Sequence, residues 1–324
     1  METRKITEGA LMSALQIVLG IGLVASGIGY GLYVQVILPI TIALVGVKCG
    51  LKVSGLTGIN TLVILAVSFG NLGLAVYGIQ ALGFGLLTGE LLKKSWQLKD
   101  DLLIASLSGC LFLLILDYFT AHLLGVSLLD HDEAEQMILE LWPQINPKVM
   151  EAVYYLSIAS VPVSSVLITY MGSLILGYRL GYLKGEAFQK YYFIRYYKRY
   201  VSMAYHQCKM IRWAVVGLII QYLLWPYVAH PYGRAWIATS GAILLYFILM
   251  DFTKLIGQFI LEKSKQALCL PIYQVVLWFS FFNAFKWTCC FIMIVGSIID
   301  FLTTIRLRQT KQLIYGMQRA IKGY

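Results

Sequence analysis

Long runs without charge constrain this chain more than any motif in it. Leu102 to Leu116 and Ile237 to Met250 carry no charged side chain, and hydrophobic residues make up 59% of the 324 positions. In hydrocarbon a segment must satisfy its own backbone N–H and C=O groups, so runs of this kind fold as helices. The fold class expected is all-α, a polytopic membrane helix bundle of about ten transmembrane helices. The spans fall at roughly residues 7–29, 34–48, 56–70, 72–92, 102–124, 154–178, 213–229, 235–259, 269–285 and 287–305. Residues 269–305 are too long for one crossing and just long enough for two, with Lys286 at the turn. The first apolar run is long and leads directly into another span, so it is expected to be a retained helix rather than a signal peptide.

The basic residues orient this bundle. With the N-terminus cytoplasmic, all but Lys148, Arg234 and Lys286 of the 26 Lys and Arg fall on the cytoplasmic side. The positive-inside rule therefore expects both termini in the cytoplasm. The longest external loop is acidic, with Asp130, Asp132, Glu133, Glu135, Glu140 and Glu151 against Lys148. The net charge of +10 thus describes a cytoplasmic face meeting anionic lipid, with no reason to invoke nucleic acid.

Three parts are expected: a six-helix membrane domain over 1–184, a cytoplasmic linker over 185–212, and a four-helix membrane domain with a basic tail over 213–324. The linker interleaves Tyr191, Tyr192, Phe193, Tyr196, Tyr197, Tyr200 and Tyr205 with Lys190, Arg195, Lys198, Arg199, Lys209 and Arg212. A helix of that composition is expected at the membrane interface, rings at the acyl boundary and Lys190, Arg195, Lys198 and Arg199 against phosphate; docking of a partner is the other reading. In the external loop, Met137, Ile138, Leu141 and Trp142 fall on one side of a short helix stopped by Pro143, either capping an outward cavity or lying on the leaflet. Gly83, Gly85 and Gly89 lack the strand and Lys-Ser/Thr context of a phosphate loop, and their spacing suits close helix approach.

Ionisable groups inside spans are costly and therefore informative. Asp117 lies toward the outer side of the fifth span, with Tyr118 next to it and His122 beyond. Five residues turn a helix by about 500°, so Asp117 and His122 leave it in different directions, yet both can border an outer cavity. Asp117, His122, Gln80, Asn71 and Trp142 are the candidate ligand-binding residues. Gln16, Gln35, Asn60, Gln221, Gln274 and Asn283 either line a pocket or bond helix to helix. Asp251 with Lys254 and Glu90 with Lys94 have the spacing of interfacial ion pairs. The six cysteines form no CxxC and no Cys/His ligand spacing, and no HExxH, GxSxG or paired-carboxylate pattern occurs, so no metal, cofactor or catalytic role is expected.

The opening stretch ITEGALMSALQIVL, residues 6–19, resembles the first helix of the substrate-binding S components of energy-coupling factor transporters. In that family a small-residue patch faces the coupling subunit, and Ala10 and Ala14, flanked by Gly9 and Ser13, stand at the corresponding place. Six spans over 1–184 equal the S-component count. The whole chain is similar to the YybS-like family of predicted membrane proteins of Gram-positive bacteria. Its ending GSIIDFLTTIRLR supplies Gly296, Asp300, Arg306 and Arg308 at that family's terminal positions, with Thr303 and Thr304 departing from it. The resemblance implies the bacterial cell membrane, a vitamin-like small-molecule ligand, and a separate coupling membrane subunit with ATPase subunits as partners. Four further spans leave a non-transporting scaffold or regulator as the competing reading.

Overall fold

The computed structural model describes residues 2–322 except 27–28, 71, 96, 126, 128, 130–135, 137, 141, 145 and 265–268. Among the described residues there is no strand, and the protein is an all-α polytopic membrane bundle. Its helices are α1 Glu2–Ala25, α2 Leu38–Cys49 continuing a π-helical Tyr33–Ile37, α3 Leu51–Phe69, α4 Leu72–Leu91, α5 Leu98–Leu124 and α6 Pro147–Arg179. They are followed by α7 Glu186–Arg195, α8 Cys208–Leu224, α9 Pro231–Ser264, α10 Cys269–Leu302 and α11 Ile305–Lys322. Each of the ten expected spans overlaps one of these helices, and among the described residues seven segments are long and apolar enough to cross a bilayer. Residues 33–49 and 269–281 are shorter apolar helices.

The chain forms two compact units, one of residues 1–191 with 226–242, the other of 192–225 with 243–324. The sequence reading divided the chain elsewhere, at 184 and 212. The start of α9 belongs with the first six spans because Thr239 Oγ1 lies 3.0 Å from Cys110 Sγ of α5 and Tyr232 reaches Asp117.

In the first unit α2 is central, packing on α1, α3, α4 and α6. Glycines set how closely the helices come. A Cβ on Gly89 of α4 would stand 2.9 Å from the Ala43 carbonyl oxygen of α2, and one on Gly85 would stand 2.7 Å from that of Pro39. Lipid tails are as apolar as leucine, so such intimate van der Waals contact replaces the hydrophobic drive available in water. A polar chain crosses the same interior: Asn60 Nδ2 donates to Ser13 Oγ (3.0 Å), Ser13 pairs with Thr61 (3.0 Å), Thr61 donates to Gln16 Oε1 (2.8 Å), and Gln16 Nε2 donates to Thr41 (2.8 Å). Gln16 and Asn60 therefore bond helix to helix, and Gln35 is exposed.

In the second unit α10 has a non-helical residue at Ala284. Tyr273 OH donates to the Thr253 carbonyl (3.2 Å), while Gly296 abuts the ring of Phe252. A straight helix would separate residues 273 and 296 by about 34 Å, yet both meet the same turn of α9. The chain thus folds back at Ala284, two residues before the expected Lys286. Large apolar side chains, among them Trp213, Trp278, Trp287 and Phe301, stay exposed on this unit, as lipid-facing surface requires.

Candidate functional site

Asp117 lies 16 residues beyond Asp101 along α5, about 24 Å by helix rise. Its side chain is buried, and Oδ2 accepts hydrogen bonds from Ser127 Oγ (2.8 Å) and Tyr232 OH (3.1 Å). The Tyr232 ring packs edge-on against Tyr118, with centroids 5.4 Å apart, and Tyr118 in turn stacks at 4.2 Å on His122. His122 is exposed, its Nδ1 2.7 Å from the Tyr118 carbonyl. Asp117 and His122 are joined through Tyr232 and Tyr118. Ser127 and Tyr232 are partners that sequence reasoning missed; the tyrosine lies 115 residues away, and no local pattern announces it.

Gln80 is half-buried on α4, Trp142 is exposed, and Asn71 lies outside the described residues. Most of the amphipathic 130–142 segment also lies outside them; within it, Trp142 N–H donates to the Ile138 carbonyl at 2.8 Å. Among the described residues no three of His, Cys, Asp and Glu converge as metal ligands.

The small-residue patch on α1 splits between two faces. Gly9 abuts α3, where an added Cβ would meet Val53 Cγ1 at 2.5 Å, and Ser13 is buried in the polar chain described above. Ala10 and Ala14 point the other way and are exposed, amid exposed Ile6, Leu11, Leu15 and Val18. Helical periodicity separates them in this way, since residues one apart lie about 100° apart around the axis.

The basic aromatic segment corrects the expected interfacial helix. Lys190 is buried, and its Nζ donates to the Leu91 carbonyl (2.7 Å), the Lys94 carbonyl (2.7 Å) and Asp101 Oδ2 (2.6 Å). Tyr170 OH donates to the same carboxylate oxygen. Burial pulls the Lys190 ammonium below the usual lysine range, with Asp101 opposing it. Carbonyls at a helix end lack a full set of intrahelical donors, and the ammonium adds to the Lys94 N–H that already reaches the Leu91 carbonyl at 3.1 Å. Lys190 is thus a structural cap, not a lipid contact. Its neighbour Tyr191 stacks on Tyr178 at 4.1 Å, so this ring also packs on protein. Arg195 and Lys198 are exposed, and Arg199 lies in the short helix Tyr197–Tyr200.

The second unit holds a buried ionic network that sequence reasoning assigned otherwise. Arg306 Nη1 donates to Asp251 Oδ2 (2.5 Å) and to the His206 carbonyl (2.9 Å), and its Nε donates to Asp300 Oδ1 (2.5 Å). His206 N–H donates to Asp251 Oδ1 at 3.0 Å. Lys254, expected to pair with Asp251, donates to the Val201 and Ala204 carbonyls and lies 4.4 Å over the ring of Tyr205. Burial opposes the Arg306 charge, but Asp251 and Asp300 hold its pKa above the usual arginine value. A guanidinium fork bonds two carboxylates in fixed geometry, which a nearby lysine does not match. The signal was present in the spacing of Asp300 and Arg306, six residues apart across the end of α10.

Residues 13–145 match a family described as predicted membrane protein (DUF2232). The chain is, in that stretch, similar to a membrane family that carries no assigned activity. The matched segment takes in Ser13, Gln16, the close glycines of α4, Asp117 and Ser127. No curated protein and no solved structure matches the chain.

Proposed function

We propose that this integral membrane protein is the small-molecule-binding subunit of an energy-coupling-type uptake system, acting with a separate coupling subunit and ATPases. One observation carries the reading: α1 turns Ala10 and Ala14 outward while Gly9 and Ser13 fasten the opposite face to α3. Two small residues one turn apart leave a shallow groove in an otherwise bulky apolar face. Another transmembrane helix approaches closely there, which is how helices associate in lipid. The ligand end is assigned to Asp117 with Tyr232 and Ser127, where a ligand donor would exchange for one of the two hydroxyls. The bacterial cell membrane, both termini cytoplasmic and no catalytic step complete the proposal.

The test is affinity purification of the full chain from native membranes in mild detergent, with mass spectrometry of what accompanies it. A coupling-type membrane subunit and paired ATPases are expected with the parent chain. They should be lost from an Ala10→Leu/Ala14→Leu variant whose melting temperature is unchanged. Equal recovery with both proteins would overturn the docking role. A scaffold or regulator is the second reading, favoured by the second unit, whose buried Arg306 network a capture subunit does not require.

A further inference from the structure

The end of the first unit where α2 and α6 terminate carries an open cleft of about 480 Å³. Lys48, Lys93 and Lys184 line it from three separate segments, with Val47, Tyr182 and Ala187 between them and Glu186 as the one carboxylate. Lys48 sits 4.2 Å over the Tyr182 ring and is paired with Glu8 at 3.2 Å, which fixes its position. Lys93 and Lys184 are exposed. Glu186 stands one helical turn before Lys190, whose charge it supports. Two left-handed glycines, Gly181 (φ 68°) and Gly185 (φ 54°), shape the wall, and side chains are strained in that conformation.

A second cleft of about 200 Å³ shares Lys48 and Tyr182 with the first. Its remaining lining is Leu11, Met12, Val45 and Cys49, with Glu8, the partner of Lys48, as its carboxylate. A cationic recess continuous with an apolar groove, at the level where transmembrane helices end, matches an amphiphile with an anionic head and a hydrocarbon tail. An inorganic anion would use only the first half.

We propose that the joined clefts bind one anionic phospholipid, its phosphate among Lys48, Lys93 and Lys184 and an acyl chain along Leu11, Met12 and Val45. The basic recess supplies attraction for the headgroup, as basic pockets between transmembrane helices do on the side of the membrane rich in anionic lipid. This site uses none of Asp117, Ala10 and Ala14 and shares only Leu11 with the α1 face, so its test is separate from that of the uptake reading.

The experiment is native mass spectrometry of the full chain in detergent, titrated with phosphatidylglycerol or phosphatidylcholine, with and without millimolar inorganic phosphate. The parent chain should retain phosphatidylglycerol in preference to phosphatidylcholine. In Lys93→Gln/Lys184→Gln, phosphatidylglycerol binding should weaken roughly thirtyfold, about a factor of five for each lysine near an anionic group. Lys263→Gln/Lys311→Gln removes the same charge from exposed positions outside the cleft and should bind like the parent. Equal weakening in both variants, no weakening in either, or displacement of the lipid by inorganic phosphate would overturn the proposal.

Discussion

Two lysines at the same end of the first unit have opposite fates. Lys190 is sealed among two carbonyls and Asp101, whereas Lys48 stands at the junction of two open clefts, held by Glu8 and the Tyr182 ring. The difference lies in what surrounds the ammonium. Around Lys190 the protein itself supplies the acceptors that water would have supplied, and the charge is spent on closing the fold. Lys48 has one carboxylate and one ring beside it and lines both clefts, so its positive field extends to whatever occupies the space. A count of basic residues along the chain does not distinguish these cases, because it is the end of α4 and the start of α5 that make one of them a cage.

The largest expected effect tests the cage directly. Lys190→Met leaves Asp101 buried without its cation and should cost about 3–5 kcal/mol, read as a lowered melting temperature in detergent. Adding Asp101→Leu should recover a substantial part of that loss, because an uncompensated buried charge, not the absence of the pair, dominates the cost. Tyr170→Phe removes one donor to the same carboxylate and should cost about 1.5–3 kcal/mol. At the bottom of the scale, Lys184→Gln should leave stability within about 0.5 kcal/mol while weakening anionic lipid binding. A Lys184→Gln protein that melts as early as Lys190→Met would erase the distinction between the two lysines.

Much of the architecture was legible because hydrocarbon imposes one solution on each apolar run. The all-α polytopic bundle, the reversal near residue 285 and the close packing of Gly85 and Gly89 all follow from length, apolarity and side-chain size. The polar contacts were harder to read. Asp251 and Lys254 have ideal local spacing, yet a guanidinium arriving 55 residues later bonds the carboxylate. Asp117 was identified by its cost in a bilayer, but its partners Ser127 and Tyr232 follow from tertiary packing that no period in the sequence encodes. Lys190 looked like one of several interfacial cations because sequence records charge and not the carbonyls facing it. The α1 patch was legible as a pattern, while its division into an internal face with Gly9 and Ser13 and an external one with Ala10 and Ala14 required knowing where α3 lies.

The Lys190 cage also sets a clock on biosynthesis. The Leu91 carbonyl receives its ammonium from a residue 99 positions further along the chain, and Asp101 from one 89 positions further. At about 5–20 residues per second, those acceptors wait about 5–20 s after their own synthesis before the donor exists. During that interval α4 and α5 are in the translocation machinery or the bilayer with an open polar end, and the first six spans cannot close on themselves until the ribosome has read past the sixth. The segment that follows them is therefore a latch of the first unit, delivered before the start of α9 completes it.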